Sequence, residues 1–172
     1  CVAVSAQTGE GLEKLLETLE AVLKETKAKR NLGRPRLPVD RVFSMAGFGT
    51  VVTGTLVDGS LSLGEELVSL PEGQKGRIRG LQNHHHKVQK IDPGFRTAVN
   101  LSGIEHGQIQ RGDVLCHPGD YQPSTLLDVS FRLLSDAGLD LKHNQEMKLY
   151  IGAAERVVRG RLLGTEKVQA GQ

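Results

Sequence analysis

Six short runs rich in Val, Leu and Thr follow one another at residues 39–43, 50–56, 66–70, 76–82, 96–101 and 114–117. Turn-forming residues separate them: Gly47-Phe48-Gly49, Asp58-Gly59, Pro71-Glu72-Gly73, Pro93-Gly94 and Arg111-Gly112-Asp113. Breaks at this frequency leave no room for helices. Short strands joined by tight turns satisfy their backbone groups best by closing on themselves, so the pattern predicts a mainly β fold with an antiparallel barrel over residues 38–118. Composition agrees, with 21 glycines to serve the turns and only 3% aromatic residues, which leaves Val, Leu and Ile to fill the interior.

The flanks have a different texture. Residues 1–6 read CVAVSA, a β-branched run that predicts a buried strand. Thr8 is a candidate cap, with Gly9 and Gly11 in the turn. From Glu10 onward Leu12, Leu15, Leu16, Leu19, Val22 and Leu23 recur at spacings of three and four, which predicts a helix. Lys24, Lys27, Lys29 and Arg30 fall in its last turns, where cations suit the helix dipole. One strand and one helix make no domain alone, so residues 1–30 read as the end of an α/β domain. Residues 31–38, with Gly33, Pro35 and Pro38, read as a linker. After a second linker at 118–123, three strands are expected at 126–134, 147–151 and 157–163, with a loop at 135–144. Residues 123–172 thus read as a truncated second β-barrel.

Several classes are excluded or disfavoured. The longest apolar runs are a few residues, far short of a membrane-spanning helix, and no charged segment followed by an apolar stretch opens the chain as a signal peptide would. Two cysteines, Cys1 and Cys116, make no disulfide framework, which fits a reducing cytoplasm. A net charge of +2 does not by itself mark a nucleic-acid binder. The chain begins with Cys rather than Met, so it is expected to be a piece of a longer polypeptide.

The string Gly47-Phe48-Gly49-Thr50-Val51-Val52-Thr53-Gly54-Thr55-Leu56 is more specific than composition. With Asp40-Arg41-Val42-Phe43-Ser44 before it, and Pro93-Gly94-Phe95-Arg96 and Gln110-Arg111-Gly112-Asp113-Val114-Leu115 after it, it resembles the second domain of translational GTPases. Within them it is most similar to the selenocysteine-specific elongation factors, through Gly76-Arg77-Ile78-Arg79-Gly80-Leu81-Gln82-Asn83-His84 and Ala98-Val99-Asn100-Leu101-Ser102-Gly103-Ile104. Ser5 and Ala6, in Val4-Ser5-Ala6, resemble the last guanine-contacting motif of the GTPase domain, and Tyr150-Ile151-Gly152-Ala153-Ala154-Glu155 resembles part of the third domain.

The resemblance implies a factor that binds GTP and magnesium in its full-length form, carries selenocysteinyl-tRNA, and delivers it to the ribosome at recoded UGA codons. The selenocysteine-insertion RNA hairpin would be read by C-terminal domains absent from this chain. No Gly-x-x-x-x-Gly-Lys-Ser/Thr phosphate loop occurs here, so no cofactor and no GTP hydrolysis are expected of these residues alone. By the same resemblance Asp40, Arg41 and Arg96 receive the aminoacyl side chain, with Asp40 orienting one or both arginines. A rim salt bridge between Asp40 and Arg41 is the plainer alternative. Arg77, Arg79 and Arg111 are either contacts to the tRNA backbone or solvated strand faces.

Other features have simpler readings. Gly47, Gly49, Gly54 and Gly59 precede no helix start, so they read as barrel turns or bulges. His84 and His86 are the pair in His84-His85-His86 that would share a face of a strand. A small metal-binding barrel is therefore a distinct alternative function, against a plain loop after the 76–82 strand. Another translational GTPase, such as a general elongation or initiation factor, is the nearer alternative. Cys116 reads as a small core residue. The run from residue 24 to 36, with six Lys or Arg against one Glu, is either an RNA contact or a solvated helix end. A truncated third domain would expose strand edges, so self-association is expected.

Overall fold

The computed structural model describes residues 1–26 and 31–171, so Lys27, Lys29, Arg30 and Gln172 lie outside the described residues. The chain separates into two compact units, Cys1–Arg30 and Asn31–Gln172.

The first unit is built on one helix, α1 (Leu12–Glu25). Its Leu12, Leu16, Leu19 and Val22 are all more than 40% exposed, so the three-and-four spacing produces an apolar stripe with nothing buried beneath it. Residues 1–6 form no strand, contrary to the expectation, because a strand needs a ladder partner and none of the described residues of this unit supplies one. Instead Ser5 N donates to Glu10 O and Gly9 N to Ser5 O, making a compact turn. Thr8 is not the cap either. Gly11 takes that position with φ 76°, and a Cβ there would sit 2.2 Å from Ala3 O, so the turn requires glycine. The Thr8 hydroxyl accepts from Glu10 N at 3.3 Å.

The second unit holds the barrel. Its strands are β1 (Arg36–Met45), β2 (Gly49–Thr55), β3 (Leu61–Ser62), β4 (Glu66–Leu70), β5 (Gln74–Asn83), β6 (His86–Val88), β7 (Lys90–Ile91), β8 (Arg96–Ser102) and β9 (Val114–Cys116). Antiparallel neighbours run β4-β9-β1-β2-β8-β5, and β5 pairs back onto β4, so the sheet closes; β6 hangs from β5 as a hairpin and β3 pairs with β7. The six expected runs are these six closing strands. The linker ended too late: Arg36–Pro38 ladders with Val114–Cys116, and Leu37 is fully buried. That pairing is what closes the ring, and no local signal in a Pro-rich segment announces it.

Leu37, Val39, Val52, Leu56, Leu67, Ile78, Leu81, Val99, Leu101 and Leu115 form the interior, each at most 2% exposed. All four phenylalanines lie outside it, Phe43, Phe48, Phe95 and Phe131 being 41–55% exposed. Branched aliphatics fill so narrow a barrel, and the aromatics are free for the surface. Gly54, on β2, faces inward where a Cβ would meet Pro38 O at 2.2 Å, so this strand and β1 can approach only because the side chain is missing.

Beyond the barrel, β10 (Leu141–Lys142) pairs with β13 (Lys167–Val168), and β11 (Gln145–Ile151) forms a hairpin with β12 (Ala154–Gly160). The expected strand at 126–134 belongs to no sheet. The strand expected at 157–163 begins earlier because Gly152, with φ 58°, turns the hairpin tightly and sets Ile151 opposite Ala154. β10 falls inside the expected loop at 135–144. Among the described residues no helix is long and apolar enough to cross a membrane.

Candidate functional site

The site begins with an irregularity in β1. Val39 pairs with Gly54 and Arg41 with Thr53, so Asp40 is an extra residue opposite the same stretch of β2, a β-bulge. Strict alternation from the buried Val39 would turn Arg41 inward and Val42 outward. With the bulge, Asp40 and Arg41 both lie off the core while Val42 packs against it. Two consecutive charged residues thereby reach the outer surface without burying either.

Neighbouring strands complete the cluster. On β2 the inward Val52 and Gly54 leave Thr53 outward, and on β8 the inward Thr97 leaves Arg96 outward, with Thr55 opposite Arg96. Arg96 Nη1 donates to Asp40 Oδ2 and Arg96 Nη2 to Asp40 Oδ1 at 3.1 Å, a two-pronged ion pair. Thr53 Oγ1 donates to Asp40 Oδ1 at 2.6 Å and stands 3.5 Å from Arg96 Nη2. Partial burial works to raise the Asp40 pKa. The hydrogen bonds from Arg96 and Thr53, with the charges of Arg96 and Arg41, outweigh it and hold the carboxyl below its ordinary range. Reciprocally, the hydrogen bond and charge of Asp40 raise the pKa of Arg96.

Asp40 therefore pairs with Arg96, not with its sequence neighbour. Arg41 feels Asp40 only through its field, and its guanidinium forms no hydrogen bond or ion pair among the described residues. Arg96 uses two of its five N–H donors on Asp40 and is half exposed. The cluster thus offers one unengaged guanidinium, Arg41, and the spare donors of another, Arg96, which is tethered to the carboxylate. It can receive a small anion.

The same outer face continues into a groove of about 260 Å³ two residues along β2 and β8, lined by Met45, Phe48, Val51, Arg79, Ala98 and Asn100. The Asn100 Oδ1 atom is buried there without a hydrogen-bond partner. Largely apolar walls, an acceptor without a partner, and two cations, Arg79 and Lys87, suit a flat heteroaromatic group that carries an N–H and adjoins an anion.

The remaining expected residues scatter. Arg77 and Arg79 project outward from β5 on either side of the buried Ile78, and Arg79 joins the groove. Arg111 lies elsewhere, in the turn before β9, where its Nε stands 3.4 Å from Ala153 O. Ser5 and Ala6 belong to the first unit, where the Ser5 hydroxyl accepts from Thr8 N. His84 and His85 occupy the two-residue turn between β5 and β6 at φ 47° and 66°, with Asn83 opposite His86. The histidines are a hairpin tip rather than a strand face, and no group of three or more His, Cys, Asp or Glu side chains among the described residues is arranged to hold a metal. Thr53 and the groove were not anticipated. The outward phase of Thr53 was readable from the Thr50-Val51-Val52-Thr53 alternation, but its partner was not.

Residues 49–116 match the family model of elongation factor Tu domain 2. The chain is 42% identical over 171 residues to the selenocysteine-specific elongation factor of Desulfomicrobium baculatum, covering 99% of this chain and 27% of that protein. It is 36% identical over 121 residues to elongation factor 1-alpha of Saccharolobus solfataricus, covering 70% and 26%. Among solved structures it is similar to a bacterial selenocysteine-specific elongation factor, EF-Sec (TM-score 0.75, 27% identity, 95% of this chain and 27% of that one). It is similar also to the apo form of elongation factor SelB from Methanococcus maripaludis (TM-score 0.69, 25% identity, 95% and 40%). The chain spans about a quarter of the length of the curated relatives it matches.

Proposed function

Because the chain belongs to the selenocysteine-specific translation elongation factors and carries their second-domain barrel, we propose that Asp40, Arg41 and Arg96 receive the selenocysteinyl end of a charged transfer RNA. The observation that carries this is the two-pronged Arg96–Asp40 pair beside an unengaged Arg41. Selenols are more acidic than thiols, whose ordinary pKa is roughly 8.5, so the selenocysteine side chain is an anion at neutral pH while a serine hydroxyl is neutral. Two guanidiniums that keep their charge and present several donors favour the anion. Facing serine, they would be left poorly compensated, and mismatches of this kind cost about 1–3 kcal/mol. Asp40 holds Arg96 in place, and the two guanidiniums with one carboxylate leave a net positive charge for an arriving anion. The adjoining groove, with Asn100 and Arg79, is the place for the terminal nucleoside of the same tRNA.

In the full-length protein, GTP and magnesium binding, delivery to the ribosome at recoded UGA codons and a cytoplasmic location follow from the same reading. This chain's residues do not make a GTP site: the sequence has no phosphate loop, and Ser5 and Ala6 are at most one edge of a guanine site. The chain's own contribution is therefore recognition. General elongation factors share the barrel, and the arginines at positions 41 and 96 set this reading apart from theirs.

The test is binding of the full-length protein, with GTP, to selenocysteinyl-, cysteinyl- and seryl-tRNA, with Arg41→Ala and Arg96→Ala alongside. The expected result is a preference for the selenium form of about 10- to 100-fold that both variants lose. Equal binding of seryl-tRNA by the unaltered protein would overturn the reading.

A further inference from the structure

Residues 31–38 have the composition of a free linker, and β1 takes up only Arg36–Pro38 of them. Residues 32–35 lie in no sheet, yet the barrel holds them. Asp58, in the turn that follows β2, is 8% exposed, and its Oδ1 accepts from Leu32 N and from Gly59 N, both at 2.7 Å. Its backbone secures the other end of the stretch. Arg36 N donates to Asp58 O at 3.1 Å, and Val57 N donates to Arg36 O at 2.9 Å. Between these holds the chain passes directly over Gly59, where a Cβ would sit 2.2 Å from Pro35 N.

A further hold comes from the segment by which the chain leaves the barrel. Tyr121, beyond β9, donates its hydroxyl to Arg34 O at 3.1 Å. The Arg34 and Arg36 guanidiniums stand 5.6 and 5.9 Å from the centre of its ring, within cation–π range. The exit segment is itself fixed, since His117 Nε2 stands 3.1 Å from Glu65 Oε2 in the turn before β4. Entry and exit segments therefore clasp each other as well as the barrel. The Asp58 carboxylate is the strongest of these holds, because it takes two backbone donors at short range and is shielded from water.

We infer that residues 32–36 are a latched strap, with Asp58 as the latch and Tyr121 as a clasp, so that the tether from the first unit ends at Leu32 and not at Pro38. Asp40 and Arg41 follow on the same strand. Asp58 is thereby a positioning residue, which fixes the point on the barrel from which the tether leaves. Freeing the strap would add a coil with a root-mean-square length of about 12 Å. The inference does not rest on the proposed tRNA site.

The test is amide hydrogen exchange in the 172-residue chain. The Leu32 amide should exchange at least about tenfold more slowly than an unstructured one. Asp58→Ala should remove that protection, Asp58→Asn should keep most of it by retaining an acceptor oxygen, and Tyr121→Leu should cost about threefold. The Val52 amide, in the ladder between β1 and β8, should stay protected throughout, which separates an opened latch from lost folding. Spin labels then measure the tether. With Cys1→Ser, since Cys116 is buried, labels at Leu32→Cys and Lys75→Cys should give one narrow distance distribution. It should broaden by about 10 Å when Asp58→Ala and Tyr121→Leu are combined. A Leu32 amide unprotected in the unaltered chain, Leu32 exchange indifferent to Asp58→Ala, or a distribution already broad before substitution would each overturn the inference. Should Asp58→Ala unfold the barrel, unchanged Leu32 exchange in Tyr121→Leu would overturn it equally.

Discussion

The guanidinium of Arg96 holds both carboxylate oxygens of Asp40 at a sequence separation of 56, while Arg41, the residue next to Asp40, makes no such bond. The bulge in β1 and the pairing of β2 with β8 produce this. They bring Asp40, Thr53 and Arg96 onto one patch of the barrel's outer face. The pair is partly exposed, so its contribution to stability is small and its value lies in aiming Arg96.

Thr53 is the residue that fixes the other side of Asp40. Thr53→Val keeps the shape and removes the donor at 2.6 Å, so the Asp40 pKa should rise while the melting temperature barely moves; Thr53→Ser should restore it. Carboxyl carbon chemical shifts across an acid titration measure this, and an unchanged Asp40 titration in the valine variant would contradict the assignment.

The acid dependence follows in sign from the depressed Asp40 pKa. The folded-state value lies below the unfolded one, so the stabilisation is present in full above the ordinary carboxylate range and is lost as pH falls through the folded value. Urea unfolding should show wild type ahead of Asp40→Asn by less than about 1 kcal/mol at pH 7. The difference should shrink as pH falls below the ordinary carboxylate range and vanish once the folded-state Asp40 is itself protonated.

Gly54→Ala should be among the most damaging single changes in the barrel. The added Cβ meets Pro38 O at 2.2 Å and a Leu37 methyl at 2.9 Å, and neither backbone nor buried leucine can yield freely. A loss of about 3 kcal/mol or more is expected in denaturant titrations.

The turn at His84-His85 holds two non-glycine residues at positive φ. Replacing them with Asn-Gly, which suits a two-residue hairpin turn, should stabilise the chain by about 1 kcal/mol. The readout is a melting temperature higher by a few degrees, and a drop would show that the histidines make contacts the turn needs.

Cys116 is fully buried, and burial, with the charge of Asp120 adding, pushes its thiol up to about 11. A thiol reagent at pH 7.5 should therefore modify Cys1 quickly in the native chain and Cys116 only after denaturant is added. Equal native reactivity would place Cys116 at the surface.

Much of the barrel was legible because its information is local. Val, Leu and Thr in short runs state which residues pair in strands, and the glycine-bearing breaks state where the chain turns, so all six closing strands were expected within a few residues. The failures occurred where pairing depends on distant chain. Residues 1–6 and 126–134 have strand composition, but composition supplies no partner. Arg36–Pro38 looks like linker and becomes strand because β9 returns to meet it. The site divides in the same way. Asp40, Arg41 and Arg96 stood out in the sequence by type and by resemblance. That Arg96 rather than Arg41 takes the carboxylate, that Thr53 shares it, and that an apolar groove adjoins was decided only by the bulge and the strand register. Residue type and spacing determine what each segment can form, whereas hydrogen-bond partners separated by tens of residues exist only once the sheet has closed.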